Sequence, residues 1–219
     1  MDSLYMRGFY KIAEWIMNFA FLNILWILFT LFGFVLFGIF PATVSMFVIV
    51  RKWVKGQRDF HIFKNFWDSF KKEFLKSNLL GLILIIIGGI LFTDLLFVKG
   101  HDDRLIQYIY YPLLFVTSIF ILAMLYVFPI YVNFETKLYY IIKNSVLIMI
   151  MSPLVTIMKV TFILILYCIF KFIPGLTPLF GASLLAYIIM WSSNLTFRKI
   201  ARYQSIEDQD LLEKINIVE

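Results

Sequence analysis

The chain has 219 residues, of which 62% are hydrophobic and 16% charged, with a mean hydropathy of +0.87 and a net charge of +6. A soluble domain is roughly 45–50% apolar and about 25% charged, and an excess of this size outruns what one small globule can bury. The totals exclude a soluble enzyme and a soluble nucleic-acid binder, and they leave a single all-α domain, residues 1–219, integral to a membrane.

A bilayer core about 30 Å thick takes about 20 apolar residues as a helix, the form in which a spanning segment satisfies its own backbone. At the amino terminus Arg7, Lys11, Glu14 and Asn18 line one side of a helix that leads into the first apolar stretch, 18–38. Residues 39–54 are too short for an ordinary span. Pro41 suits a first helical turn and follows Gly33 and Gly38, so 18–36 and 41–55 read as a tight helical hairpin with a short second arm. The segment 58–76 repeats Phe63, Phe66, Trp67, Phe70 and Phe74 at three- and four-residue steps, which places them on one helical face. Lys64, Asp68, Lys71, Lys72 and Lys76 fall elsewhere around it, giving a basic amphipathic helix of the interfacial kind. Long spans follow at 78–98, 109–132, 146–170 and 177–197, with Pro129 and Pro153 expected to kink the fourth and fifth helices. The architecture expected is a polytopic bundle of five long spans and one short span, six in total, with a tail over 200–219.

Six spans with both termini inside place sixteen of the twenty basic residues on the cytoplasmic side: Arg7, Lys11, the eight between 51 and 76, Lys137, Lys143, Arg198, Lys199, Arg202 and Lys214. Lys99, Arg104 and Lys171 lie outside, and Lys159 lies within a span. This is the positive-inside pattern. A re-entrant 41–55 would move Arg7 and Lys11 outside, so those two charges favour six spans. No cleavable signal peptide is expected, since the first apolar stretch is too long and no small-x-small site follows it. Apposition to the anionic inner leaflet accounts for the net charge without nucleic acid.

Charges within spans are costly and are candidate functional residues. Asp94, toward the outer end of the third span, and Lys159, near the middle of the fifth, are placed in the same half of the membrane and are candidates to pair, or to frame a polar path. Asn23 and Asn194 belong with them as intramembrane polar residues, and interhelical hydrogen bonding explains such groups. Gly81, Gly88, Gly89, Gly181, Ala182 and Ala186 offer close helix contacts or a homo-oligomer face. Cys168, among apolar neighbours, reads as a reduced core thiol. No glycine-rich phosphate loop, HExxH or CxxC is present, His61 and His101 fall on opposite sides, and no cofactor, metal or catalytic residue is expected. The face made by Phe63, Phe66, Trp67, Phe70, Lys71, Lys72 and Phe74 is expected to meet lipid or a partner.

The run Leu22-Asn23-Ile24-Leu25-Trp26, then Phe40-Pro41-Ala42-Thr43, Arg51-Lys52-Trp53, the aromatic series from Phe63 to Phe74, and Phe128-Pro129 resemble the YesL-like family of bacterial membrane proteins across essentially the whole chain. The stretch Gly38-Ile39-Phe40 departs from that pattern, in which glycine directly precedes the proline. The resemblance supplies no catalytic residues. Members of the family tend to be encoded beside carbohydrate ABC transporters and polysaccharide-degrading enzymes, which implies a non-enzymatic role accessory to sugar uptake or its regulation, with an ABC transporter or another membrane or cytoplasmic protein as partner. The alternative is a small transporter or channel with a polar path near Asp94 and Lys159.

Overall fold

The structure, a computed structural model, describes residues 2–100 and 104–218, with side chains over 10–100 and 107–202. The side chains of Arg7, His101, Arg104 and Lys214 fall outside these. Among the described residues seven α-helices succeed one another: α1 (Asp2–Phe32), α2 (Ile39–Val54), α3 (Ile62–Lys99), α4 (Arg104–Asn133), α5 (Leu138–Met151), α6 (Pro153–Phe172) and α7 (Thr177–Val218), with a 3-10 turn at Pro174–Leu176. No strand occurs among the described residues. Five helices (α1, α3, α4, α6 and α7) are long and apolar enough to cross a membrane, and at most 28% of their apolar windows is buried. Ile24, Leu28 and Leu31 of α1 and Leu82, Ile86 and Ile90 of α3 are among the large side chains left outside. Exposed aliphatic surface on this scale has lipid as its solvent. The chain is a multi-pass helical membrane protein.

The short second arm sits at the centre. At sixteen residues α2 is about 24 Å long, yet nine of those residues are buried, and α1, α3, α4 and α7 all pack against it. Trp26 of α1 donates its indole N–H to Thr43 Oγ1 of α2 at 3.0 Å, closing the expected hairpin. The connection needs two glycines. A Cβ on Gly38 would lie 2.4 Å from the Thr30 carbonyl oxygen, and one on Gly33 would lie 2.3 Å from the Gly38 Cα. Between them Phe34 and Val35 take left-handed backbone angles, φ 55° and 62°, which side chains rarely adopt. The turn is held by the Val35 N–H donating to Thr30 O at 2.9 Å and by Asn78 Nδ2 of α3 donating to Phe37 O at 3.0 Å. Gly81 of α3 receives the Phe40 ring, which a Cβ there would overlap at 2.3 Å. Of the other glycines expected at close contacts, Gly88 meets only the Phe120 ring, and Gly89 has nothing within 4 Å.

Three expectations change. The amphipathic segment read over 58–76 begins at Ile62 and is continuous with the third span, forming one 38-residue helix; no glycine or proline interrupts the chain between them. The fifth span is not 146–170. Pro153 has no N–H to donate and restricts the residue before it, so Ser152 leaves the helix (φ −130°, ψ 59°) and separates α5 from α6. Cys168 is an exposed thiol, not a core one: Tyr167 and Ile169 beside it are exposed as well, while Leu166 turns inward.

Backbone atoms cannot yield as a side chain tip can, so Gly38→Ala should lower the unfolding stability in detergent by about 1–3 kcal/mol, as overpacking does. Gly175→Ala, whose Cβ would meet nothing within 4 Å, should leave it within experimental error.

Candidate functional site

Lys159 is fully buried (0% exposed) in the second turn of α6. An ammonium carries three N–H donors and no acceptor, and three acceptors surround this one. Ser193 Oγ of α7 lies at 2.7 Å. The ring of Tyr126 on α4 has its centroid 3.1 Å from Nζ, a cation–π contact. The Leu125 carbonyl oxygen is a longer contact at 3.5 Å. That carbonyl is free for a reason written in the sequence: its helical donor would be the N–H of residue 129, which is Pro129. A proline inside α4 thus exposes an acceptor, and a lysine from another helix takes it.

The surrounding polar groups fall into a consistent direction. Ser193 donates to Ile189 O at 2.8 Å and therefore accepts from Lys159. Thr156 donates to Ser152 O at 3.1 Å, which leaves its oxygen to accept the Tyr126 hydroxyl at 2.8 Å. These bonds tie the start of α6 to α4 and α7, where apolar contact alone gives little drive between helices in lipid.

Asp94 is exposed on α3 and does not join this cluster. The two in-span charges therefore do not pair, and Lys159 is compensated by a hydroxyl, a carbonyl and a π face. Asn23 is buried (2% exposed) and serves a different junction. Its Nδ2 donates to Pro178 O at 2.7 Å, while its Oδ1 accepts from the backbone N–H groups of Ala182 and Ser183 at 2.9 and 3.0 Å. One amide thus engages both ends of an i to i−4 step in α7 and locks α1 to it. Asn194 is half-buried on α7 and makes no side-chain hydrogen bond among the described residues.

The aromatic face of α3 divides. Phe66 (0% exposed) and Phe70 (4%) lie in the core, with ring centroids 5.1 and 5.0 Å from Phe29 of α1. They are not available to a partner or to lipid, which corrects that expectation. Trp67 is half-buried, 5.4 Å from Phe29 and stacked at 6.3 Å on Phe70, and Phe74 is half-buried against Phe70. Phe63, Lys71 and Lys72 remain exposed. Lys71 lies 3.7 Å from Asp68 and 5.0 Å over the Trp67 ring.

The fold and these junctions define a multi-pass helical membrane protein whose polar groups inside the spans fasten helix to helix. The family model described as "Protein of unknown function, DUF624" matches residues 19–95, from α1 to the last turns of α3. Three proteins of Bacillus subtilis (strain 168), each described as uncharacterized, are similar over most of their length. YteU is 36% identical over 180 residues, 82% of this chain and 81% of its own. YesL is 34% identical over 201 residues (92% and 95%), and YesV is 36% identical over 200 (91% and 96%). The chain belongs to this YesL-like, DUF624 family. No solved structure matches it.

A hydrogen bond to a buried charged group is worth about 1.5–3 kcal/mol. Ser193→Ala should cost that much in unfolding stability, but almost nothing once Lys159 is already methionine. A double-mutant cycle read by thermal unfolding in detergent measures this coupling, and additive losses would show that the 2.7 Å contact carries no energy.

Proposed function

We propose that the chain is a non-enzymatic protein of the bacterial cytoplasmic membrane, with both termini inside, accessory to carbohydrate uptake or its regulation. The distribution of lysine and arginine supports the orientation through the positive-inside rule. The link to sugars rests on the resemblance to the YesL-like family and the transporter genes beside which its members tend to be encoded. It is a role by association.

The accessory reading is favoured over transport by one observation, the closure of the polar interior. An alternating-access carrier presents its midplane polar site to water on each side in turn. Here Lys159 has no exposed surface, and its donors face protein acceptors. Asp94, the other candidate for a polar path, is on the outside of α3. What the protein offers to others is its surface, including Phe63, Lys71 and Lys72.

Two assays separate the readings. In cells, removal of the protein should lower uptake of a labelled oligosaccharide by a carbohydrate ABC importer, and the wild-type protein should restore it. A doubly substituted Phe63→Ala, Lys71→Glu protein should restore less. In liposomes, the purified protein alone should pass no labelled sugar. Sugar flux that Lys159→Met abolishes would overturn the accessory reading in favour of transport.

A further inference from the structure

A cavity of about 710 Å³ opens between α2, α3 and the link from α4 to α5. That is within the range of small-molecule sites, about 300–1,000 Å³. Its chemistry is lopsided. Arg51 of α2, Lys72 and Lys76 of α3, and Lys137 ahead of α5 give it four cations. Against them stand two carboxylates, and one of these is engaged: Glu73 Oε2 accepts the Tyr131 hydroxyl at 2.7 Å. Lys76 lies 5.2 Å over the Tyr131 ring, away from any carboxylate contact. The apolar part of the lining is made by Val44 and Val48 of α2 and Val132 of α4.

Two buried polar atoms on this lining have no hydrogen-bond partner, Arg51 Nε and Thr136 Oγ1. Both can donate, and a buried donor left unpaired is expensive. Both orphans belong to residues of the same lining, where an acceptor can enter. The start of α5 adds to the same field. Lys137 is its extended N-cap residue and no side chain caps it, so the positive end of a 14-residue helix begins at the lining.

We propose that this cavity binds an organic phosphate, with the phosphoryl oxygens held by Arg51 Nε, the Thr136 hydroxyl and the ammonium groups of Lys72, Lys76 and Lys137. The two carboxylates balance two of the four cations and leave an excess of positive charge on the lining. A phosphomonoester carries a charge of about −1.5 to −2 and three strong acceptor oxygens. The volume beyond the phosphate and the valine wall fit a body attached to it. Two sources present this group: a soluble phosphorylated metabolite and the headgroup of phosphatidic acid. The proposal is independent of the role in carbohydrate uptake and stands or falls on binding alone.

The test uses the full-length protein in phosphatidylcholine nanodiscs. Glycerol 3-phosphate, followed by calorimetry, represents the soluble source. Phosphatidic acid doped into the disc, followed by native mass spectrometry, represents the lipid. Binding of one equivalent of either probe is expected, and which probe binds identifies the source. Glycerol and phosphatidylcholine should not substitute for them. Arg51→Gln and Thr136→Val should each weaken binding about tenfold, the usual scale for losing one charge-assisted hydrogen bond. Lys71→Gln, which alters an exposed lysine paired with Asp68 away from the cavity, should bind as the wild type does. If Arg51→Gln fails to fold, Thr136→Val and Lys76→Gln, the latter at an exposed lysine, carry the same comparison. Failure of both probes to bind the wild type, or equal affinity in the cavity variants, would overturn the proposal.

Discussion

Everything in this protein is arranged around a helix that is too short. About 24 Å of α2 cannot cross about 30 Å of hydrocarbon on its own, and Arg51 and Lys52 in its last turn would make lipid contact costlier still. The fold removes the problem by removing the lipid: four longer helices pack around α2, so that most of it touches only protein. The means are local and specific. Gly33 and Gly38 let the chain reverse at backbone contact, Gly81 clears room for Phe40, and Trp26 donates to Thr43 across the hairpin. Lose the close turn, and the arm must separate from α1 and meet the bilayer.

Once a helix is enclosed in this way, the outer helices still need fastening, because lipid tails compete on equal terms with apolar side chains. Polar groups do this work pairwise. Asn23 holds α1 to α7, the Tyr131 hydroxyl holds α4 to Glu73 of α3, and Lys159 holds α6 to both α4 and α7. The Lys159 junction uses an acceptor that the backbone left over, the Leu125 carbonyl that Pro129 cannot satisfy. A buried lysine that looks functional by cost alone thereby has a structural explanation in named atoms. The buried polar atoms without a partner among the described residues lie elsewhere, at Thr30, Arg51, Thr136 and Thr196, and Arg51 and Thr136 belong to one cavity lining.

Membrane residence, the long spans and the helical hairpin were legible because hydropathy and length report directly on a 30 Å apolar slab, and because Pro41 and the two glycines sit where a hairpin needs them. The break at Ser152 was half-visible. Pro153 announced a disturbance, but whether a proline kinks a helix or ends it depends on whether neighbours re-satisfy the freed groups. The burial of Phe66 and Phe70 was not legible at all. An amphipathic stripe looks the same whether it faces lipid, a partner or Phe29 of its own chain. Periodicity likewise placed Asp94 and Lys159 in spans without saying that one turns outward and the other inward. The cavity escaped for a related reason: Arg51, Lys76 and Thr136 are brought together by tertiary packing, and no spacing along the chain links them.

The enclosure of α2 is the claim on which the rest depends, and it can be measured without altering the protein. An apolar diazirine dissolved in the bilayer labels side chains that touch lipid when it is photolysed, and mass spectrometry assigns the label residue by residue. Label is expected on Ile24, Leu28 and Leu31 of α1 and on Leu82, Ile86 and Ile90 of α3, with Ala42, Met46, Phe47, Ile49 and Val50 of α2 left unmodified. Labelling along a continuous face of α2, at levels matching those outer positions, would show that the short helix meets lipid and would contradict the account.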